Sequence, residues 1–180
     1  RRAVTLQADL ADAAQAESLV AHAVDALGAL HCVVNNASLF EYDSPDAFSP
    51  ALLDAHMRTN LTAPLLLAQA LHVATPEGSQ ACVVNLLDQK LYNLNPDFLS
   101  YTLSKSALHT ATTMLAQALA PKLRVVGVAP GITMVSGDQT GEGFAKAHTA
   151  TPLGRSSLPE DIAAAVVYLA TARAVTGTTL

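Results

Sequence analysis

The sequence reads Cys-Val-Val-Asn-Leu-Leu-Asp at residues 82–88 and Ser-Tyr-Thr-Leu-Ser-Lys at residues 100–105, and these two stretches decide the fold. The first is nearly all apolar, which is typical of a strand buried on both faces of a parallel sheet. In the second, Tyr101 and Lys105 lie about one helical turn apart, so a helix places both side chains on one face. A strand that ends at Asp88 brings a third polar group to the carboxyl edge of the sheet, where open α/β folds bind ligands.

Lys105 is expected to make Tyr101 more acidic. A fixed positive charge favours the phenolate, and lowering a phenol's pKa from about 10 by two or three takes about 3–4 kcal/mol. The spacing therefore predicts a tyrosine that donates a proton near neutral pH. For an isolated Tyr-x-x-x-Lys pattern, an exposed tyrosine with an unrelated lysine is the simpler interpretation.

Short apolar runs alternate with amphipathic stretches along the whole chain, which is the pattern of a parallel sheet covered by helices. Strands are predicted at residues 3–8, 31–36, 81–87 and 124–129. Helices are predicted between Asp12 and Gly28, from Ser49-Pro50 to about Val73, over residues 98–120, and from a capping box at Ser157 to Glu160 through Leu169. The expected fold is a doubly wound α/β domain of three layers over residues 1–180.

Residues 132–156 show little periodicity and are rich in glycine and threonine. We expect this segment to be a mobile loop over the site. Arg155, near its end, is expected to be structural.

Composition narrows the class of partner. The 180 residues are 51% hydrophobic and carry a net charge of −5 without a basic run, so the sequence has no electrostatic footprint for nucleic acid or an anionic membrane. A small-molecule partner and a cytoplasmic location are expected, because no membrane span or signal peptide is recognisable. Cys32 and Cys82 are expected to be buried free thiols, and no metal site is expected.

Six short motifs occur in a fixed order along the chain. They are Asp9-Leu10, Asn35-Asn36-Ala37, Asn60, Tyr101-x-x-x-Lys105, Pro130-Gly131 and Val175-Thr176-Gly177. Each is weak alone, but together they resemble the short-chain dehydrogenase/reductase family. The resemblance implies a Rossmann-like fold, a nicotinamide cofactor, Tyr101 as the general acid, and Lys105 as a partner of the nicotinamide ribose.

Part of the family pattern is missing from this sequence. Members of the family open with a strand, a glycine-rich turn and a helix that holds the pyrophosphate, and they end in a short glycine-containing tail. No Gly-x-Gly-x-x-Gly pattern occurs here. We interpret the chain as a Rossmann-like domain that lacks the first β-α-β segment. Its opening at Arg1-Arg2, without Met, favours an excerpt of a longer protein over a relative unable to hold the cofactor.

Asn60 is followed four residues later by Pro64, which has no N–H to donate to the Asn60 carbonyl. A carbonyl left free in this way can hold a water that contacts Lys105, and the resemblance implies such a proton relay. A helix kink that serves packing alone is the alternative.

Asp88 departs from the commonest family pattern, which has serine at this position. An ionised carboxylate cannot donate a hydrogen bond and repels a developing alkoxide, so it suits a substrate with N–H groups or ring nitrogens. Pteridine reductases, a branch of the family, carry aspartate here, and residues 35–40 also resemble their sequence. This resemblance implies that Phe40 stacks on a pterin and that Ser38 contacts the ring or the cofactor. Phe40 packing in the core or in a lid, and Asp88 as a solvated carboxylate at a strand end, are the alternatives.

The resemblance also implies the remaining cofactor contacts. These are Asp9 and Leu10 at the adenine, Asn36, Ala37 and Ser38 along the cofactor, Tyr101 and Lys105, and Pro130, Gly131 and Thr133 near the nicotinamide. A helix-cap or turn role is the alternative for Asp9. The cofactor is expected to be NADP(H), and the helices at 49–73 and 98–120 are expected to pair across subunits of a homotetramer.

Three functions follow as hypotheses. The preferred one is NADPH-dependent reduction of a pterin or a dihydrofolate-like ring, and the second is oxidoreduction of a keto or hydroxy compound. The third is a non-catalytic remnant or scaffold, which would have no physical requirement to keep Asn60, Tyr101 and Lys105 in register.

Overall fold

The structure is a computed structural model that describes residues 2–135, 140–149 and 151–180. Its centre is a parallel sheet with the strand order β1-β2-β3, made of β1 (Cys32–Asn35), β2 (Ala81–Leu86) and β3 (Leu123–Val128). These strands confirm the predictions at 31–36, 81–87 and 124–129. Cys32 and Cys82 are register partners on β1 and β2, and both are free thiols, with Cys32 only half-buried.

The helices of the described residues are α1 (Ala13–Leu27), α2 (Pro50–Met57), α3 (Ala63–Ala74), α4 (Leu99–Leu119), α5 (Gly141–Thr149) and α6 (Pro159–Thr171). A π-helical turn, Arg58–Thr62, joins α2 to α3, and a short 3-10 helix, Gln89–Tyr92, follows β2. The Asp12 carboxylate caps α1, and Gly28 ends it with φ +85°, both as predicted. No helix among the described residues is long and apolar enough to cross a membrane.

Helices cover both faces of the sheet. On one face, side chains of α3 and α4 pack against Val83 and Val125, and on the other, Leu169 of α6 packs against Val84 and Val126. Full burial of such side chains stabilises the fold by about 1.5–3 kcal/mol each. The layers confirm the doubly wound α/β fold.

Arg124, at the start of β3, holds α6 on the sheet. Its buried guanidinium donates hydrogen bonds to the carbonyls of Leu169 and Ala170 in the last turn of α6 and to that of Val175 beyond it. A cation suits these carbonyls because the helix dipole is negative at this end.

The strand predicted at residues 3–8 is wrong. These residues form no regular secondary structure, and Val4 and Leu6 are about two-fifths exposed. A strand is held by hydrogen bonds to a neighbouring strand, and residues 3–8 have no such neighbour among the described residues.

Two further predictions are corrected near the end of the chain. The segment predicted as a loop contains α5, whose first turn is capped by a hydrogen bond from the Gly143 N–H to the Thr140 hydroxyl. Residues 136–139 and 150 of that segment lie outside the described residues. The predicted capping box is one residue out of place, because α6 begins after Leu158, whose N–H donates to Asp161 Oδ2 at 2.9 Å.

Candidate active site

Asp88 and Tyr101 meet at the carboxyl edge of the sheet. The Tyr101 hydroxyl donates a hydrogen bond of 2.8 Å to Asp88 Oδ2. The other carboxylate oxygen, Oδ1, accepts from the Lys90 N–H at 2.7 Å and so caps the 3-10 helix. Asp88 is half-buried and Tyr101 is buried. Because both oxygens are engaged, the carboxylate is held in place beside the phenol.

Lys105 lies one turn further along α4, buried beneath the same edge. Its ammonium donates to the Leu86 carbonyl at 2.7 Å and lies 5.7 Å from the centre of the Tyr101 ring. Burial lowers the pKa of Lys105 to about 8, and the negative charge of Asp88 acts in the opposite direction.

The expected acidification of Tyr101 is wrong for this arrangement. Burial raises the pKa of the phenol, and the Asp88 carboxylate raises it further by repelling a phenolate and by accepting its proton in a hydrogen bond. The spacing of Tyr101 and Lys105 along α4 predicted the effect of the ammonium but not the opposite effect of the Asp88 carboxylate, which lies on another element. The phenol therefore stays protonated, as a proton donor must before it reacts.

Asn60 ties the segment after β1 to α4. Its buried amide donates to the Leu39 carbonyl at 2.9 Å and to Ser104 Oγ at 3.0 Å. Its Oδ1 accepts from the Leu39 N–H at 2.8 Å and from the Ser38 hydroxyl at 3.1 Å. A buried amide with this many partners fixes the position of the loop relative to the helix that carries the phenol.

The helix is irregular next to Pro64, as the missing proline N–H predicts. A π-helical turn forms at Arg58–Thr62, in which the Ala63 N–H reaches back to the Arg58 carbonyl. Such turns are frequent at functional sites. The proton relay through the Asn60 carbonyl stays a prediction, since Lys105 contacts the Leu86 carbonyl in this structure.

A cavity of about 790 Å³ opens beside the Asp88–Tyr101 pair. Its lining includes, among the residues predicted from the sequence, Asn36, Ser38, Asp88, Tyr101, Lys105, Pro130, Gly131 and Thr133. The far wall is apolar and includes Ile132, Ile162 and Val166. A Cβ placed on Gly131 would meet nothing within 4 Å, so a ligand can approach the backbone there.

Asp9 and Leu10 do not line this cavity. They border a separate cleft of about 600 Å³, and Leu10 also lines an apolar one of about 320 Å³ together with Ala37. The Asp9 side chain accepts from the Ala11 N–H at 2.9 Å. This hydrogen bond stabilises a turn, which is the role that was given as the alternative for Asp9.

Phe40 is already stacked within the protein. Its ring lies 4.3 Å from that of Phe98 at 12°, and 4.7 Å from that of Tyr101 at a nearly right angle. The centre of the Tyr42 ring lies 5.2 Å from that of the Phe98 ring, and the two rings are nearly perpendicular. We call Phe40, Phe98 and Tyr42 the aromatic strip. Stacking of Phe40 on a substrate ring stays a prediction. The contact with Phe98 is the kind of packing that was given as the alternative role of Phe40.

Sequence reasoning missed Phe98 and Asp43. Phe98 has φ +55°, in the left-handed region that costs a non-glycine residue roughly 1–2 kcal/mol, and such strain gathers at functional sites. The buried Asp43 carboxylate accepts from the backbone and hydroxyl of Ser100 and so caps α4 from another segment. A left-handed phenylalanine has no local sequence signal, and Asp43 lies too far from Ser100 in sequence for a capping pattern.

The chain is similar to a family of known proteins and to individual members of it. A family model described as Enoyl-(Acyl carrier protein) reductase matches residues 1–180. An uncharacterised oxidoreductase of Methylorubrum extorquens is 35% identical over 98% of this chain and 73% of its own length. The structure of FolM alternative dihydrofolate reductase 1 from Brucella canis, complexed with NADP, is 42% identical with a TM-score of 0.92, over 97% of this chain and 69% of that one.

The corresponding Brucella suis structure, also in complex with NADP, is 40% identical with a TM-score of 0.88 and the same coverage of both chains. The chain thus spans about seven-tenths of the length of these three proteins.

Proposed function

Because the chain belongs to the short-chain dehydrogenase/reductase family of oxidoreductases, we propose that the protein is an NADPH-dependent reductase of pterin or dihydrofolate-like rings. The hydrogen bond from Tyr101 to Asp88 carries the proposal. A carboxylate beside the proton donor repels an alkoxide but accepts hydrogen bonds from a ring with N–H groups. The two similar Brucella structures, described as dihydrofolate reductases with NADP, support the same substrate class and cofactor.

The cavity residues fit the nicotinamide end of the cofactor. Lys105 supplies a buried cation for ribose hydroxyls, and Gly131 leaves its backbone open to a ligand. Asn36 and Ser38 lie along the same cavity. The cradle for the pyrophosphate is the part that this sequence lacks. When bound, NADPH supplies the hydride.

The residues of this chain would then handle the proton. A ring that offers N–H groups to Asp88 replaces the Tyr101 hydroxyl as the carboxylate's donor, which frees the phenol to protonate the ring nitrogen. The proton leaves the phenolic oxygen as the new N–H bond forms, and the ring of the phenolate that remains has the ammonium of Lys105 5.7 Å from its centre. That ammonium stabilises the phenolate until water returns a proton.

A keto or hydroxy compound is the second candidate substrate. The apolar far wall of the cavity favours it, because that wall would suit a substrate without ring nitrogens. On this alternative Asp88 is a variant residue that takes no part in the chemistry.

The proposal includes one Rossmann-like domain over residues 1–180, a cytoplasmic location and a homotetramer. Exposed apolar side chains on the two helices expected to pair across subunits support the assembly: Val73, Leu103 and Met114. Light scattering of the purified protein would give its mass in solution, and a monomer would contradict the tetramer.

Consumption of NADPH by the protein in its full length tests the proposed function. We expect turnover of dihydrobiopterin or dihydrofolate and about a hundredfold loss of turnover in Tyr101→Phe, which lacks the proton. Turnover of simple ketones alone would contradict the proposal. Failure to bind NADPH at all would favour the non-catalytic remnant.

A further inference from the structure

Lys90 presents a positive charge beside the aromatic strip. Its ammonium lies 6.0 Å from the centre of the Phe98 ring and donates a hydrogen bond to Asn95 Oδ1. Asn95 is neutral, and no carboxylate lies within ion-pair distance of this ammonium in the part of the chain that the structure describes. Within the described ranges, no carboxylate therefore neutralises this charge.

The position of Lys90 is tied to the candidate active site. Its backbone N–H is the group that donates to Asp88 Oδ1, so residue 90 is fixed directly beside the carboxylate. The aromatic strip connects its ammonium to the proton donor, because Phe98 stacks on Phe40 and the Phe40 ring meets that of Tyr101. A ring held at Asp88 and Tyr101 thus lies at one end of the strip, and the ammonium lies over the strip.

The aromatic strip and the ammonium together suit one class of substituent. Phe40 is 40% exposed and Tyr42 is 62% exposed, so both offer surface to an aryl group. The Lys90 ammonium lies over Phe98, the ring that contacts both Phe40 and Tyr42, and it suits a carboxylate at the end of the same group. Dihydrofolate carries an aryl tail that ends in carboxylates, whereas dihydrobiopterin carries a short uncharged tail.

We propose that Lys90 selects dihydrofolate-like substrates by pairing with the carboxylates of a tail that packs on the aromatic strip. This inference rests on the proposed reductase activity and names the substrate that the site prefers. Lys90 takes no part in the proton transfer, so its contribution is to binding.

Lys90→Met, which removes the charge but keeps most of the apolar stem, tests the inference in the NADPH-bound protein. For dihydrofolate we expect KM to rise about fivefold with kcat unchanged, because a half-buried ion pair contributes to binding on this scale. KM for dihydrobiopterin should stay the same. Lys90→Arg keeps the charge and should retain the preference, and Lys122→Met removes a remote charge as a control for net charge.

Equilibrium binding gives a second readout. Calorimetric titration of folate into the NADP⁺ complex should show a similar loss of affinity in Lys90→Met, and high salt should abolish the difference between the variant and the parent. If Lys90→Met weakened the binding of both substrates equally, or did not weaken that of dihydrofolate, the role of Lys90 would be overturned and the proposed function would stand. Failure of the parent protein to reduce either ring would overturn the proposed function, and this inference with it.

Discussion

The Tyr101 hydroxyl donates a hydrogen bond of 2.8 Å to the carboxylate of Asp88, although the two residues come from different elements of the fold. Asp88 follows β2 and Tyr101 lies in the first turn of α4. The second oxygen of Asp88 is held by the N–H of Lys90, so the carboxylate cannot turn away without breaking a helix cap. The site therefore offers a fixed acceptor and a protonated donor side by side, which is the complement of a ring that has both N–H groups and a basic nitrogen.

The charge state of Lys105 predicts how NADPH affinity depends on pH. Burial lowers its pKa to about 8, so its ammonium becomes neutral as the pH rises through that value. We expect the Kd of NADPH, measured by fluorescence from about pH 6 to about pH 10, to be constant below pH 8 and to rise above it. Lys105→Arg, which stays charged, should remove the rise. A constant Kd in the parent protein would contradict the role given to Lys105.

The titration of Lys105 does not make the protein less stable above pH 8, so it cannot raise the Kd of NADPH by unfolding the protein. The ordinary pKa of the group is 10.5, so between about pH 8 and 10.5 the unfolded chain binds more protons than the folded one. The contribution of Lys105 to the free energy of unfolding therefore grows with pH in this window, opposite in sign to the expected loss of affinity.

Asn60→Ala is predicted to destabilise the protein. The substitution leaves both backbone groups of Leu39 and the hydroxyl of Ser104 without the partner that each has now. We expect a loss of about 2–4 kcal/mol in the free energy of unfolding, measured with urea. Gln117→Ala removes an exposed amide from α4 and should change stability by less than about 0.5 kcal/mol. Equal effects of the two substitutions would refute the tethering role of Asn60.

Gly131→Ala and Gly127→Ala form a matched pair. At Gly131 the new methyl group meets nothing within 4 Å, so stability should stay within about 0.5 kcal/mol while the methyl narrows the cavity and weakens NADPH binding about tenfold. At Gly127 it would lie 2.6 Å from Thr179 Oγ1 and 2.7 Å from Leu87 Cδ1. That variant should lose about 1–3 kcal/mol of stability and keep its NADPH affinity. If Gly131→Ala lowered stability but left NADPH affinity unchanged, Gly131 would not face the cofactor.

Much of the fold could be predicted because local patterns report burial and helix ends. Apolar runs predicted the three strands found among the described residues, and Asp12 and Gly28 predicted the two ends of α1. Residues 3–8 are also largely apolar, although Thr5 and Gln7 interrupt them, but they have no strand beside them among the described residues, since pairing depends on distant parts of a chain. The helix α5 was missed because two of its first three residues are glycine, which disfavours helices.

Part of the site could be predicted because the carboxyl ends of parallel strands lie at one edge of the sheet. Asp88 follows such a strand, so it could be placed near Tyr101 from the sequence. The sign of the pKa shift of Tyr101 was not predictable, because it depends on burial and on the distance to Asp88. The stack of Phe40 on Phe98 also escaped prediction, since it depends on one left-handed residue.

Replacement of Asp88 by serine tests the central claim most directly. In Asp88→Ser, kcat for dihydrobiopterin should fall about a hundredfold because the fixed acceptor is gone, while the Kd of NADPH should change less than about threefold. Asp97→Ser, which alters a nearby exposed carboxylate, should leave both quantities unchanged. Equal losses of turnover and of NADPH affinity in Asp88→Ser would contradict the account and would show that Asp88 acts only as the cap of the 3-10 helix.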